Sequence, residues 1–303
     1  MTAVPVKRKT KRRDIVFPVV NTCILILLMV ITLYPVLNTV AISFNDSMDA
    51  LRGGIGIWPR VFSTESYVEL VRDPAIYKAF LISVAKTVIT TLTNLFFTSM
   101  LAYALSRREY VLRGFITTVM VLTMYINAGM IPNYLLVSKF LKLGNSFWVY
   151  IVPTMFSCFN MIVIRTYIAG LPDALVESGK IDGAGDIRCF FQIILPLCLP
   201  VMATVALFVA VGAWNSWFDT YLYCGSKKDL YTLQYLLKMK LATTQASSNA
   251  ANSTAEALAN RAQVAPITIR ASITVISTVP ILIVYPFLQK YFVTGMALGA
   301  VKG

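Results

Sequence analysis

The sequence predicts an all-α integral membrane protein with six transmembrane helices, and three observations carry that expectation. Hydrophobic residues make up 57% of the 303 positions. Charged residues make up only 14%, far below the roughly 25% of soluble domains. The charges are also clustered, leaving uncharged apolar-rich runs at 15–45, 87–106, 114–138, 143–164, 189–218 and 271–289. Each run can supply the roughly 20 helical residues that cross a bilayer.

Residues 1–14 form a basic tail, with Lys7, Arg8, Lys9, Lys11, Arg12 and Arg13 directly before the first run. Such a cluster is a positive-inside anchor, so the net charge of +13 reads as topology and not as nucleic-acid binding. The first span, about 16–44, is far longer than the 7–15-residue core of a cleavable signal, and it carries Pro18 and Pro35. With the tail inside and six spans, both termini are expected in the cytoplasm. Residues 15–303 then form one transmembrane domain.

The second span, about 77–105, holds Lys86, and the inner loop after it carries Arg107, Arg108 and Arg113. The third, about 114–137, contains Gly129 and Pro132; it is expected to end near Asn127 and continue as a tilted segment from Ile131 to Phe140. The fourth, about 147–169, has Arg165 near its inner end, placed to snorkel to the interface. A cytoplasmic loop at 171–196 leads into the fifth span, about 190–213. An outer insert at 214–268 follows, with an Ala/Ser/Asn/Thr-rich stretch from Ala242 to Ala262. That stretch reads as a linker or a helix. The sixth span, about 269–290, includes Pro280, and a short apolar tail closes the chain.

Composition also limits the chemistry. There is no His, which removes imidazole bases and the commonest metal ligand. Five cysteines without a C-x-x-C spacing read as apolar filler. None of the six runs contains Asp or Glu, whereas an ion-coupled carrier generally needs a carboxylate at membrane depth. No G-x-x-x-x-G-K-[ST] loop exists to wrap phosphates. An active transporter built on this chain therefore takes its energy from a partner.

The inner loop is the most informative stretch. Pro172 suits a first helical turn and Asp173 and Glu177 suit its positive end, with Gly183 and Gly185 placed for a turn afterwards. Read by composition alone, it is a solvated acidic hairpin. Glu177-Ser178-Gly179-x-x-Asp182-Gly183-Ala184, then Phe190, Ile193, Leu195-Pro196 and Pro200, resembles the EAA loop of ATP-binding-cassette importer permeases. Trp214-Asn215-Ser216-Trp217-Phe218, Gly129-Met130-Ile131-Pro132, and the stretch from Gln289 to Gly303 are similar to the maltose-type, carbohydrate-uptake branch, nearest its oligosaccharide (aldouronate-like) group. The departure is Ser178-Gly179 for two alanines, and a helical Gly costs about 1 kcal/mol relative to Ala.

The resemblance implies the type I importer permease fold in a bacterial cell membrane, without a nucleotide site of its own. It implies a homologous permease as partner and two ATPase subunits that hold ATP and Mg. It also implies an extracytoplasmic sugar-binding protein. Glu177, Ser178, Gly179, Asp182, Gly183 and Ala184 are then expected to couple to the ATPase, with Gly295, Gly299, Lys302 and Gly303 as a second contact. Lys86, Asn160, Trp214, Asn215, Trp217 and Tyr221 are the candidates for a substrate path. The tryptophan and tyrosine rings among them suit sugar faces, and equally an interfacial belt. A secondary carrier working without an ATPase is the alternative.

Overall fold

The structure is a computed structural model and describes residues 12–126, 128–250 and 266–300. Most of the basic tail, Lys302, Gly303 and the second half of the Ala/Ser/Asn/Thr-rich stretch lie outside the described residues. Every regular element among the described residues is helical, apart from one isolated bridge between Asn45 and Phe62. The described residues divide into two compact units, 12–70 with 248–250 and 266–275, and 71–126 with 128–247 and 276–300.

In the first unit, helix Arg12–Ser43 exposes apolar side chains such as Leu25, Met29 and Leu33 all round, as a lipid-facing helix does. Its far end is polar and packed. The Ser272 hydroxyl donates to the Ser43 carbonyl at 3.2 Å, Tyr67 Oη donates to Ser43 Oγ at 2.8 Å, and the Ser47 and Thr268 hydroxyls meet at 3.0 Å. Asn45 Oδ1 accepts from the backbone N–H groups of Arg60 and Val61, closing the loop over Phe44, which stacks between Phe62 and Tyr67.

The second unit is organised around helix Pro74–Ser106. Asp73 caps it by accepting from the Ala75 N–H, with Pro74 in the first turn, where its missing N–H costs nothing. Helices Leu199–Asn215 and Cys158–Ala169 pack against it. Ala102, Leu105, Met161, Ile164, Ile168, Val201 and Val205 form the core between them. Arg165, expected to snorkel, donates from Nη1 to Thr117 Oγ1 at 2.9 Å.

Only three described helices are single, long and apolar enough to cross a membrane: Phe17–Ser43, Pro74–Ser106 and Ile267–Pro286. The third, fourth and fifth expected spans are bent pairs. They are Arg113–Tyr125 with Met130–Phe140 at 115°, Phe147–Thr154 with Cys158–Ala169 at 47°, and Asp186–Leu197 with Leu199–Asn215 at 80°. Six spans result if each pair counts as one.

The breaks have local causes. Gly129 has φ +86, a backbone state open chiefly to glycine, and Pro132 follows it. Pro153 stands in a 3-10 turn, and the Ser157 hydroxyl then accepts from the Asn160 N–H to start the next helix. Phe190–Ile194 is a π turn ahead of Pro196 and Pro200. Pro18, Pro35, Pro280 and Pro286, by contrast, lie inside continuous helices. The apolar tail read as a separate segment continues the last helix, Pro266–Ala300, so Gly295 and Gly299 are helical.

Candidate functional site

The loop between the fourth and fifth expected spans folds as helix Ala174–Ile181, closed by a complete glycine cap. The Ala184 N–H donates to the Gly179 carbonyl at 2.9 Å and the Gly183 N–H to the Lys180 carbonyl at 3.0 Å. Gly183 itself sits at φ +81. These paired bonds with a left-handed glycine satisfy the last free carbonyls of a helix.

The same segment has two faces. Val176 and Gly179 are buried, Val176 joining a cluster with Cys189, Phe190 and Ile194. A Cβ on Gly179 would stand 2.6 Å from Ile193 Cδ1, so the departure from alanine there lets the helix sit directly on the re-entering chain. The other face, Ala174, Glu177, Ser178, Ile181 and Asp182, is exposed, with Ile181 at 86%. Nearby Ile187 is 77% exposed. A bare isoleucine, Ile181, one turn from the Glu177 carboxylate makes a surface suited to an apolar pocket with a basic rim.

Lys180 fixes this helix to its surroundings, donating to Glu109 at 2.9 Å and lying 3.5 Å from Asp186. The hydrogen bond to Glu109 holds the Lys180 ammonium above the usual lysine pKa. Both contacts are exposed, so they orient the helix more than they stabilise it.

A second feature lies along helix Pro74–Ser106, whose interior side carries Ser83, Lys86, Thr90, Asn94 and Thr98, all buried. At three- and four-residue spacing they form one polar ladder. Ser83 Oγ accepts from the Leu233 N–H, Thr90 donates to the Tyr150 carbonyl, and Asn94 Nδ2 donates to the Thr154 carbonyl at 2.8 Å. Tyr150 and Thr154 belong to the broken fourth span. The ladder thus satisfies carbonyls that the break leaves free, which is what makes a broken helix tolerable inside a membrane.

Lys86 is the charged rung. Its ammonium donates to Asp219 Oδ2 at 2.6 Å and to the Ser216 carbonyl at 3.2 Å, over the Tyr150 ring at 4.7 Å from the centroid. Asp219 Oδ1 in turn accepts from Ser216 Oγ at 2.7 Å and the Thr220 N–H at 3.1 Å. Asp219 is the residue of this candidate site that sequence reasoning missed. The signal was available, as the first carboxylate beyond the apolar run ending at 218.

These groups line a cavity of about 380 Å³ that also takes in Asn160, Ser157, Phe156 and Phe208. Asn160 Nδ2 donates to Asn94 Oδ1 at 3.3 Å. Lys86 and Asn160 therefore share one polar cavity, while the other candidates for a substrate path stand elsewhere. Trp214, read as the start of an outer insert, is the penultimate residue of helix Leu199–Asn215. It is buried there, donating from Nε1 to the Ser277 carbonyl at 2.9 Å and meeting Phe80 edge-on. It lines a separate, wholly apolar cavity of about 190 Å³. Asn215 is exposed and accepts from Gln234 at 3.3 Å. Trp217 and Tyr221 join an aromatic cluster with Phe218 and Tyr235.

Beyond that cluster, helix Leu233–Ala250 is tied back to the start of helix Pro74–Ser106. Lys240 pairs with Asp73 at 3.2 Å, and Lys78 pairs with Asp229 at 2.7 Å.

Residues 94–298 match the family model described as binding-protein-dependent transport system inner membrane component. Among curated relatives, the polygalacturonan/rhamnogalacturonan transport system permease protein YtcP of Bacillus subtilis (strain 168) is 36% identical over 279 residues, covering 92% of this chain and 96% of the relative. The arabinooligosaccharides transport system permease protein AraQ of the same strain is 27% identical over 95% of this chain and 97% of its own length. Among solved structures, a bacterial ABC transporter involved in the import of the acidic polysaccharide alginate superposes with a TM-score of 0.83. The two are 26% identical, over 95% of this chain and all of that one.

Proposed function

Because this chain belongs to the family of binding-protein-dependent transport system inner membrane components, we propose that it passes an oligosaccharide inward by alternating access, driven by ATP hydrolysis in partner subunits. It is a permease subunit of a sugar importer of the ATP-binding-cassette class and a membrane transport component, not an ATPase. The relatives are named for the transport of polygalacturonan/rhamnogalacturonan and of arabinooligosaccharides, and this supports an oligosaccharide substrate.

The observation that carries the coupling role is the two-faced helix Ala174–Ile181. Its base is packed on the core through Val176 and Gly179, and its outer face presents Glu177 and Ile181. Glu177, Ser178, Gly179, Asp182, Gly183 and Ala184 form the element that seats on the ATPase. A rigid cap on a packed base lets a push on the outer face move the spans as a body. Gly295, Gly299, Lys302 and Gly303 supply a second ATPase contact. ATP and Mg reside on two ATPase subunits, and a homologous permease completes the pore.

In this reading the chain crosses the membrane six times, counting each bent pair as one span, with both termini in the cytoplasm. The insert at 214–268 then faces outward and meets an extracytoplasmic sugar-binding protein. The ion pairs Lys240–Asp73 and Lys78–Asp229 brace its base. Deleting Ala242 to Ala262 is expected to abolish uptake in whole cells while the deleted chain still co-purifies with its permease partner and ATPase. Uptake at the wild-type rate in the deletion strain refutes the binding-protein role.

A further inference from the structure

We propose that an anionic phospholipid of the inner leaflet seats in the groove between the end of helix Pro74–Ser106 and the chain that re-enters the membrane after helix Ala174–Ile181, with its phosphate at Arg107. The inference rests on the topology proposed above, which puts this groove at the cytoplasmic face, and is independent of the sugar. The groove has a volume of about 530 Å³. Phe96, Met100 and Tyr103 make one wall, and Ile187, Phe190 and Phe191 make the other.

The lining is graded as a phospholipid is. Phe96 stacks on Phe191 with centroids 6.4 Å apart, and Tyr103 meets Phe190 at 5.5 Å, so aromatic rings join the two walls. Val88, Leu92, Phe96 and Met100 recur every four residues and are exposed. That spacing sets them on one face of the helix and extends the apolar track away from Arg107. From Phe96 to Arg107 the helix rises about 16 Å at 1.5 Å per residue, close to the roughly 15 Å of hydrocarbon in one leaflet. An acyl chain laid on that track puts its headgroup at the arginine. A non-helical protein segment laid there would leave its backbone N–H and C=O groups unpaired.

Charge selects an anion. Arg107 is half-buried and lines the groove. Its guanidinium lies over the Tyr103 ring, 4.9 Å from the centroid, and its Nε donates to Ser106 Oγ at 3.3 Å. It forms no ion pair among the described residues. The two carboxylates that also line the groove, Glu109 and Asp186, are taken by Lys180 at 2.9 and 3.5 Å. Arg108 and Arg113 follow Arg107 in the chain, and Arg188 follows Ile187, so the surplus at this end is cationic. An arginine fork matches two phosphate oxygens at once, and basic pockets between spans on the cytoplasmic side are where anionic headgroups settle.

The test uses the complete importer in nanodiscs of phosphatidylcholine. A small fraction of the lipid is phosphatidylglycerol or phosphatidylcholine with a diazirine in its acyl chain, and labelled residues are read by peptide mass spectrometry. Phosphatidylglycerol is expected to label 96–107 and 186–191 about fivefold more than phosphatidylcholine does, the scale of one arginine's attraction for an anionic lipid. The two lipids label 20–33 of the first helix alike. Arg107→Gln brings phosphatidylglycerol labelling of the groove down to the phosphatidylcholine level, and Arg107→Lys retains most of it. Equal labelling of the groove by the two lipids in the wild type overturns the proposal. So does a preference that Arg107→Gln leaves unchanged, or that Arg107→Lys loses as fully as Arg107→Gln. Absence of label from both lipids, with Phe191→p-benzoylphenylalanine crosslinking to the partner permease or the ATPase, shows a protein in the groove and also overturns it. Alkaline phosphatase fused after Gly303, active only outside the cell, reads the topology on its own. An active fusion removes that topology and the inner-leaflet assignment, while the lipid preference in nanodiscs, whose two leaflets are alike, still decides the groove.

Discussion

Gly183→Val and Glu177→Lys are each expected to cut sugar uptake by about tenfold or more while the chain remains in the membrane and bound to its permease partner. Gly183 holds φ +81, and a Cβ there meets nothing within 4 Å. The penalty is therefore backbone strain, about 1–2 kcal/mol for a left-handed non-glycine residue and worse for a β-branched one. Relief of that strain breaks the paired bonds from Ala184 and Gly183 that close the helix, and the exposed face loses its fixed direction. Glu177→Lys leaves the fold alone, because the side chain is exposed, and reverses the charge offered to the ATPase. Glu177→Gln should fall between wild type and Lys. Recovery of the ATPase with an affinity-tagged permease is the companion measurement. Wild-type ATPase recovery and uptake in both variants reduces the loop to a solvated hairpin.

Asp219→Asn is expected to be the most damaging single change to stability. It leaves the Lys86 ammonium buried at 3% side-chain exposure without a counter-charge, facing only the Ser216 carbonyl, the Tyr150 ring and a neutral amide oxygen. Removing one partner of a buried ion pair costs about 3–5 kcal/mol, which for a chain of this size corresponds to a fall of roughly 10 °C in unfolding temperature in detergent. Lys86→Met alone strands the carboxylate less severely, since Ser216 and the Thr220 N–H still donate to it. Lys86→Met combined with Asp219→Asn should recover most of the loss, because a neutral pair carries no desolvated charge. A double variant no more stable than Asp219→Asn would show that the aspartate acts through its local turn and not through the lysine.

The outline of this fold is legible in the sequence because lipid imposes a simple rule: an apolar run of sufficient length must be helical to satisfy its backbone. The breaks are less legible. Pro18, Pro35 and Pro280 break nothing, whereas Pro153 marks a real interruption. The difference lies partly next door, in Thr154, whose hydroxyl donates to the Tyr150 carbonyl, and partly sixty residues away, in Thr90 and Asn94, which donate to the carbonyls of Tyr150 and Thr154. Only the first of these is local to Pro153. The glycine cap was readable, since Asp182-Gly183-Ala184 follows a helical stretch at the right offset. The role of Gly179 was not, because its contact with Ile193 depends on how the chain folds back. Trp214 and Trp217 look alike in sequence, and the end of the helix at Asn215, with extended backbone at Ser216, parts the first, buried in the interior, from the second in the aromatic cluster.

The polar ladder also sets a timetable for biogenesis. Lys86 emerges from the ribosome 133 residues ahead of Asp219, and at roughly 5–20 residues per second its span waits for about 7–27 seconds before the counter-charge exists. During that interval a lysine near the middle of a helix is costly to leave against lipid. The helix is expected to carry that cost, of about 2.5–3.5 kcal/mol, until the aspartate follows, and a chain truncated before residue 219 is expected to keep an unpaired charge in the membrane.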